Sequence, residues 1–479
     1  MAVLAWDQNT YMPPGGHEPR AEQLATLEKL AHARLVDPRL ARMLESLEPW
    51  AAGEDPDSDD SRLVRWTRRD HEKAARVPEA LAVAMAGEAA RGYTAWLEAR
   101  ECGEFSRFRD PLARQVELRR EYAACFSDAA HPYDVLLDDF EPGMTLAELR
   151  PLFDALVPAL APIVEAAAAA EVPDVLSGDF PQEAQAALLT SVLTAVGFEP
   201  GTWRLDASPH PFAVSPGPGD VRLTTRYRDD DLGYSLYSGL HEFGHGLYDA
   251  NLGVPLQRTP LHHCASLGIH ESQSRLWENV IGRGRPFSAW LLHRLREHLP
   301  DTYGGMDHAT LYRGLNGVRR TLVRTEADET TYNLHVALRL ELELALIEDR
   351  LQVDDLPAAW GDGMQRLLGV EVSSDAEGVL QDVHWAAGHF GYFPTYTLGN
   401  LMAAQLWEQV CEDLDDVDAQ IERGDFAPLR GWLREHIHRH GRKYTQRELL
   451  RRATRQELGV QPYLAYLQAK LADAGVLAG

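Results

Sequence analysis

Lysine is almost missing from this sequence. Only Lys29, Lys73, Lys443 and Lys470 occur in 479 residues, so arginine carries nearly all of the positive charge. Asp and Glu number 73 against 47 Lys and Arg, a net charge of −26. That excess of acid argues against nucleic acid or an anionic membrane as a partner. With the arginine bias it points to a GC-rich genome or a salt-adapted host. Cysteine is scarce too: Cys102, Cys125, Cys264 and Cys411 lie far apart and no pair makes a C-x-x-C. Free thiols in a reducing compartment are therefore expected, not disulfides or a redox pair. No run of 18 or more apolar residues occurs, so no membrane-spanning helix is expected. The opening MAVLAWDQNTYMPPGG lacks a basic stretch followed by a long apolar one. No secretory signal is expected there, and the cytoplasm is the expected location. Internal repeats, long heptads and composition breaks are all absent. One domain over 1–479, with helical lobes flanking a groove, is the expected organisation.

What is present is helical patterning. In 20–46, Leu24, Leu27, Leu30, Ala31 and Leu35 are spaced for one apolar face. Segments 62–102, 109–129, 146–170, 182–197, 336–352 and 402–423 read the same way. The acidic blocks EDPDSDD (54–60) and EDLDDVD (412–418) read as solvated surface. Between 198 and 233 proline and glycine interrupt the pattern, and FAVS and VRLTTRY read as two antiparallel strands around a PGPGD turn. The expected fold is mainly α, with one small antiparallel β-sheet just upstream of the main motif.

That motif is His241-Glu242-Phe243-Gly244-His245, within a helix expected to end near Gly253. Positions 241 and 245 lie one turn apart on one helix face, so two imidazoles can share a zinc ion. Glu242 stands beside them as general base for a water whose pKa zinc lowers to about 7. The longer H-E-x-x-H-x-x-G-x-x-H pattern is excluded, because Tyr248 and Asn251 occupy its last places. The third ligand is sought on a following helix, GIHESQSRLWEN (268–279), which offers Glu271 and Glu278. Glu271 is the expected ligand and Glu278 the fallback, otherwise a partner of a ligand. His262-His263-Cys264 is read as a loop near the site, because adjacent side chains rarely point at one metal. A di-iron carboxylate protein needs two Glu-x-x-His pairs, and Glu242/His245 and Glu435/His438 supply them. That alternative leaves His241 without a role. A peptide-binding module without catalysis has no use for an intact Glu242.

Eight segments in order over nearly the whole chain are similar to the Taq-type thermostable metallocarboxypeptidases. They are WDQNTYMPPGG (6–16), HPF (210–212), DVRLT (220–224), HEFGH (241–245), GIHESQSRLWEN (268–279), VRTEADETTYNLH (323–335), GVLQDVHW (378–385) and FGYFPTYTLGN (390–400). The resemblance implies a zinc- or cobalt-dependent carboxypeptidase of broad specificity, a mostly helical fold with a deep groove, and a homodimer. It also implies a further helix ahead of Trp6, so the start is expected to be shortened.

A carboxypeptidase must grip a free carboxylate, and the planar fork of arginine suits it. Helical spacing puts Arg324, Asp328, His335 and Arg339 along one stripe, and Arg324 looks like the family's arginine in its I/V-R-x-x-A-D segment. His384, in Q-D-V-H-W, is a candidate donor to the oxyanion of the tetrahedral intermediate. Tyr392 and Tyr396 are its rivals. His210 and Arg222 are expected to line the groove. The expected activity is release of single C-terminal residues from peptides. A zinc oligopeptidase and a dipeptidyl carboxypeptidase share the chemistry and differ only at the groove's closed end.

Overall fold

Proline and N-capping residues divide the helices more finely than apolar spacing alone implies. The computed structural model describes residues 1–477. After α1 (Ala2–Thr10), the expected 20–46 helix is two, α2 (His17–Leu35) and α3 (Pro38–Ala51). Asp37 makes the break: its carboxylate accepts from Arg39 N at 2.8 Å and Pro38 starts the new helix. The 62–102 segment likewise splits at Pro78 into α4 (Asp59–Arg76) and α5 (Glu79–Cys102). The apolar face expected in α2 is not used for the core, since α2 buries no residue and Leu27 and Leu30 are exposed.

The next helices follow the expected segments: α6 (Arg109–Ala124), a short α7 (Pro132–Leu137), α8 (Leu146–Ala168) and α9 (Gln182–Val196). By length and composition α8 is apolar enough to cross a membrane, with a mean hydropathy of 1.5. Charged and proline residues interrupt its apolar run, which is why sequence alone gave no candidate span. In the fold Leu149, Leu156 and Leu160 are wholly buried in the main core.

The sheet has three strands, β1 (Trp203–Ala207), β2 (Ala213–Gly217) and β3 (Asp220–Thr225), in the order β1-β3-β2. β2 and β3 form the expected antiparallel hairpin. β1 adds to the far edge of β3 in parallel, pairing Trp203 with Val221, so the sheet is mixed and not purely antiparallel. The alternation of WRLDA was its signal, masked by the Ser-Pro-His-Pro run that follows.

On this sheet lies α10 (Leu232–Ala250), which carries the pentad. A loop leads to α11 (Leu267–Arg275), prolonged by a π-helical turn, Leu276–Ile281. Beyond it come α12 (Arg285–His298), α13 (Pro300–Tyr303), α14 (His308–Leu315) and α15 (Glu329–Ile347). The chain continues with α16 (Leu356–Leu368), α17 (Pro394–Asp413), α18 (Val417–Glu422) and α19 (Ala427–His436). It closes with α20 (Gln446–Thr454) and α21 (Gln461–Asp473). The expected 402–423 helix thus starts eight residues early at Pro394 and breaks within the acidic block, between α17 and α18. The main core runs from Leu81 to Val476, with Trp277, Trp360 and Tyr248 among its largest fully buried side chains.

Candidate active site

Two glycines set how closely the metal-site helices approach. A Cβ on Gly244 would lie 2.4 Å from Gln273 O of α11, and one on Gly399 of α17 would lie 2.6 Å from Glu271 Cγ. Only glycine permits both approaches, and Glu271 is held between α10 and α17. The α10 helix is capped by Asp231, which accepts from Tyr234 N, and α11 by Ser266, which accepts from Ile269 N. Phe243 anchors the pentad's other face between Trp203 and Trp277.

The result is a triangle of His241, His245 and Glu271, whose ligand atoms all lie within 4.8 Å of one another. Glu271 Oε2 is 3.4 Å from His245 Nε2 and 3.7 Å from His241 Nε2. Ligand bonds of about 2.0–2.1 Å in a tetrahedron put donor atoms about 3.3 Å apart. The three therefore fit a small divalent ion with slight contraction. Charge agrees: two acids, Glu271 and Glu278, share the one guanidinium of Arg275.

Glu278 orients the triangle. Its Oε2 accepts from His241 Nδ1 at 2.7 Å, which turns Nε2 toward the other donors. Arg275 reaches both acids, with Nε on Glu271 Oε1 at 2.6 Å and Nη1 on Glu278 Oε2 at 3.3 Å. Burial opposes ionisation of Glu271, but Arg275 and His241 hold it well below the usual carboxylate range. Glu278 is held at about 2 by Arg275 and the His241 hydrogen bond, also against burial. The His245 ring stacks on His270 at 4.4 Å, and His270 Nε2 in turn donates to Asp249 Oδ1.

Glu242 is buried and accepts no hydrogen bond among the described residues, and burial pushes its carboxyl up to about 7. With His241 it lines a cavity of about 630 Å³ whose wall also includes Tyr332, Tyr396 and Arg324.

Arg324 lies in a 3-10 turn, Arg324–Glu326, and not on the helix with Arg339. The expected stripe fails because Asp328 caps α15, accepting from Thr330 N and Thr331 N, so the helix starts after it. The fold joins the two arginines another way. Asp382 Oδ1 accepts from Arg324 Nε and Nη2 at 3.0 and 2.7 Å, and Oδ2 accepts from Arg339 Nε at 2.8 Å. Two guanidinium groups thus share one carboxylate, leaving a surplus positive charge. Arg324 faces the cavity and donates to Tyr332 Oη at 2.5 Å. Arg339 has no exposed surface and stacks on Trp360, so it supports the cluster from behind. His335 is equally enclosed.

His384 is packed against Phe393 and its Nε2 pairs with Tyr396 Oη at 3.0 Å. Burial drives it down to about 3, so the ring is neutral. Tyr396 lines the cavity, whereas Tyr392 packs on Phe140 and His384 beside it. Two expectations are corrected. Arg222 pairs with Asp220 and lies over Trp6 of α1, on the sheet's far side from the cavity. His210 is exposed, and its neighbour Pro211 is the lining residue. For Arg222 the reason is strand alternation, since consecutive residues of a strand face opposite sides, whereas His210 lies in the bend between β1 and β2. The di-iron reading also fails here. Glu435 is tied to Arg439 at the surface, and His438 is buried against Gln273 Oε1 at 2.8 Å. His262, His263 and Cys264 take no part in the triangle.

The segment carrying Asp382 and His384 is pinned by an acid that sequence reading missed. Glu343 of α15 accepts from Trp385 Nε1 at 2.8 Å, Gly391 N at 3.0 Å and Tyr133 Oη at 2.6 Å. Burial pushes its carboxyl up from 4.5 to about 7. A group with a raised folded pKa adds stability that is complete below the unfolded value and lost as pH rises through the folded one. The window here is pH 4.5 to about 7, and the limit is about 3 kcal/mol. Glu343→Gln is therefore expected to cost more stability at pH 5 than at pH 8, read as the difference in denaturation midpoint from the parent. An equal cost at both would refute the assignment.

The family model described as carboxypeptidase Taq (M32) metallopeptidase matches residues 1–471. Thermostable carboxypeptidase 1 of Thermus thermophilus is 41% identical, over 98% of this chain and 94% of the relative. Carboxypeptidase 1 of Bacillus subtilis is 36% identical, over 100% of this chain and 95% of the relative. The crystal structure of an M32 carboxypeptidase from Deinococcus radiodurans R1 superposes with a TM-score of 0.94 at 39% identity, covering 99% of this chain and 95% of that one.

Proposed function

We propose, from the premise that this chain belongs to the carboxypeptidase Taq (M32) metallopeptidase family and is a metallocarboxypeptidase, that it removes single C-terminal residues from peptides with broad specificity. In this proposal His241, His245 and Glu271 hold zinc, with cobalt(II) as a substitute, and Glu242 is the general base. Two imidazoles and a carboxylate suit zinc, with a further position left for water or substrate. Such a metal, when bound, makes water acidic near neutral pH and polarises the scissile carbonyl.

The protein's own groups do the rest. Glu242 takes a proton from the attacking water on its carboxylate and returns it to the leaving amine nitrogen. Tyr396, paired with His384, offers its hydroxyl to the oxygen that gains charge. Arg324 holds the terminal carboxylate; Asp382, itself held by Arg339, fixes its guanidinium, and Gln381 Oε1 accepts from its backbone N. The observation that carries this reading is one cavity lined by His241 and Glu242 and also by Arg324. A cytoplasmic homodimer is part of the proposal, checked by sedimentation for the assembly and by fractionation for the place.

The test is chemical. Amidating a substrate's C-terminus removes the charge that Arg324 grips, so cleavage is expected to fall by about 100-fold or more. N-terminal acetylation is expected to change little. Arg324→Ala is expected to damage cleavage of free-carboxylate peptides with bound metal unchanged, and partly in turnover, because remote binding energy also aligns the scissile bond. Equal rates on amidated and free peptides by the parent enzyme would remove the clamp and favour an oligopeptidase.

A further inference from the structure

The arginines on the cavity wall are not equivalent. Arg275 is bound to Glu271 and Glu278, and Arg324 to Asp382. Arg283 lines the same cavity and forms no ion pair among the described residues. Its Nε donates to Asn279 Oδ1 at 3.2 Å and its Nη1 to the carbonyl of Leu315 at 3.3 Å, both neutral acceptors. The guanidinium lies flat on Tyr237, with Cζ 3.6 Å from the ring centroid. Tyr237 stands one helical turn before His241 on α10, so the cation is fixed beside the metal triangle.

Neighbouring acids do not neutralise it. Glu278 feels the charge of Arg283, but its carboxylate is already engaged by His241 and Arg275. Glu329, on the same wall, is taken by Lys470 Nζ at 2.7 Å. By contrast Arg319 is exposed, and Arg228 has Asp230, Asp231 and Glu326 at 3.7 to 3.9 Å. Arg283 is thus a half-buried, preorganised cation with unused donors in a substrate cavity. Its natural complement is a carboxylate, which a guanidinium binds through two parallel hydrogen bonds.

We propose that Arg283 reads the side chain of the residue being released and confers a preference for acidic C-terminal residues, Asp or Glu. This rests on the reading of Arg324 as the clamp for the terminal carboxylate. The second carboxylate that a peptide end can bring into the same cavity is the side chain of its last residue. Broad specificity is kept, because the neutral hydrogen bonds and the Tyr237 face hold Arg283 without a ligand.

The test uses metal-loaded full-length enzyme and three blocked peptides that differ only in the last residue: Glu, Gln or Ala. Glu and Gln match in shape, so their kcat/KM ratio isolates charge. The parent is expected to favour Glu over Gln by about tenfold or more, and Arg283→Gln to bring the ratio to about one with Ala release kept. A merely structural Arg283 would lower all three alike, which overturns the proposal, as does a ratio that survives the substitution. The parent's ratio decides even where the variant fails to fold, since a value of one or below overturns the proposal. Loss of C-terminal release from every peptide, Ala included, would overturn the carboxypeptidase polarity as well and so separates the two failures.

Discussion

Glu242→Gln is expected to keep its metal and to lose turnover by about 10²–10⁴-fold, the usual span for removing a general base. The substitution changes almost nothing else. Glutamine matches glutamate in volume, and among the described residues the Glu242 carboxylate accepts no hydrogen bond that the amide would break. Phe243, Trp203 and Trp277 hold α10 independently of it. The ligand atoms sit on His241, His245 and Glu271, so metal content measured by mass spectrometry is expected to equal the parent's. What is lost is an oxygen that can carry a proton from water to the leaving nitrogen. Retained activity within a few-fold of the parent would sink the mechanism. Loss of metal together with activity would instead move Glu242 among the ligands.

How much of this was legible in the sequence depends on range. The triangle rests on i,i+4 spacing in one helix and an acid early in the next, and both are local patterns. The hairpin from FAVS to VRLTTRY was local as well. Long-range pairings were not legible. The bond of Asp382 to Arg324 and Arg339 spans 58 and 43 residues, and nothing in V-R-T-E-A-D or Q-D-V-H-W announces it. The helical stripe expected for the two arginines fails at Asp328, which caps α15 and so does not stand within it. Arg222 is expected in the groove because its strand lies beside α10, yet strand alternation turns it toward Trp6. Arg275 could have been found: it stands four residues after Glu271 and three before Glu278, the spacing for reaching both acids. Glu343 carried no signal, because a lone glutamate in an apolar helix gives no hint of donors drawn from residues 133, 385 and 391.

The choice between Glu271 and Glu278 as the third ligand carries the other large expected effect. Both acids lie on one face of α11 and its π-helical extension, and both touch His241. They touch it differently. Glu271 approaches the Nε2 atoms of both histidines, at 3.4 and 3.7 Å, while Glu278 occupies the Nδ1 of His241 at 2.7 Å. An imidazole bound to metal through Nε2 uses its Nδ1–H to hold a carboxylate, so the second position suits an orienting partner. Glu271→Ala is therefore expected to lose stoichiometric metal on dialysis and all measurable peptide release. Glu278→Ala is expected to weaken the metal about 10- to 100-fold yet retain it at saturating concentration. Glu271→Gln serves as the packing control, because alanine opens space against Gly399 and the amide does not. The amide's neutral oxygen is a poor ligand, so this variant is expected to lose metal as well, and its apo-protein to lose only the charge of the Arg275 pair and not the packing. Full metal content in Glu271→Ala, with loss in Glu278→Ala, would transfer the ligand to Glu278 and leave Glu271 as a structural partner of Arg275.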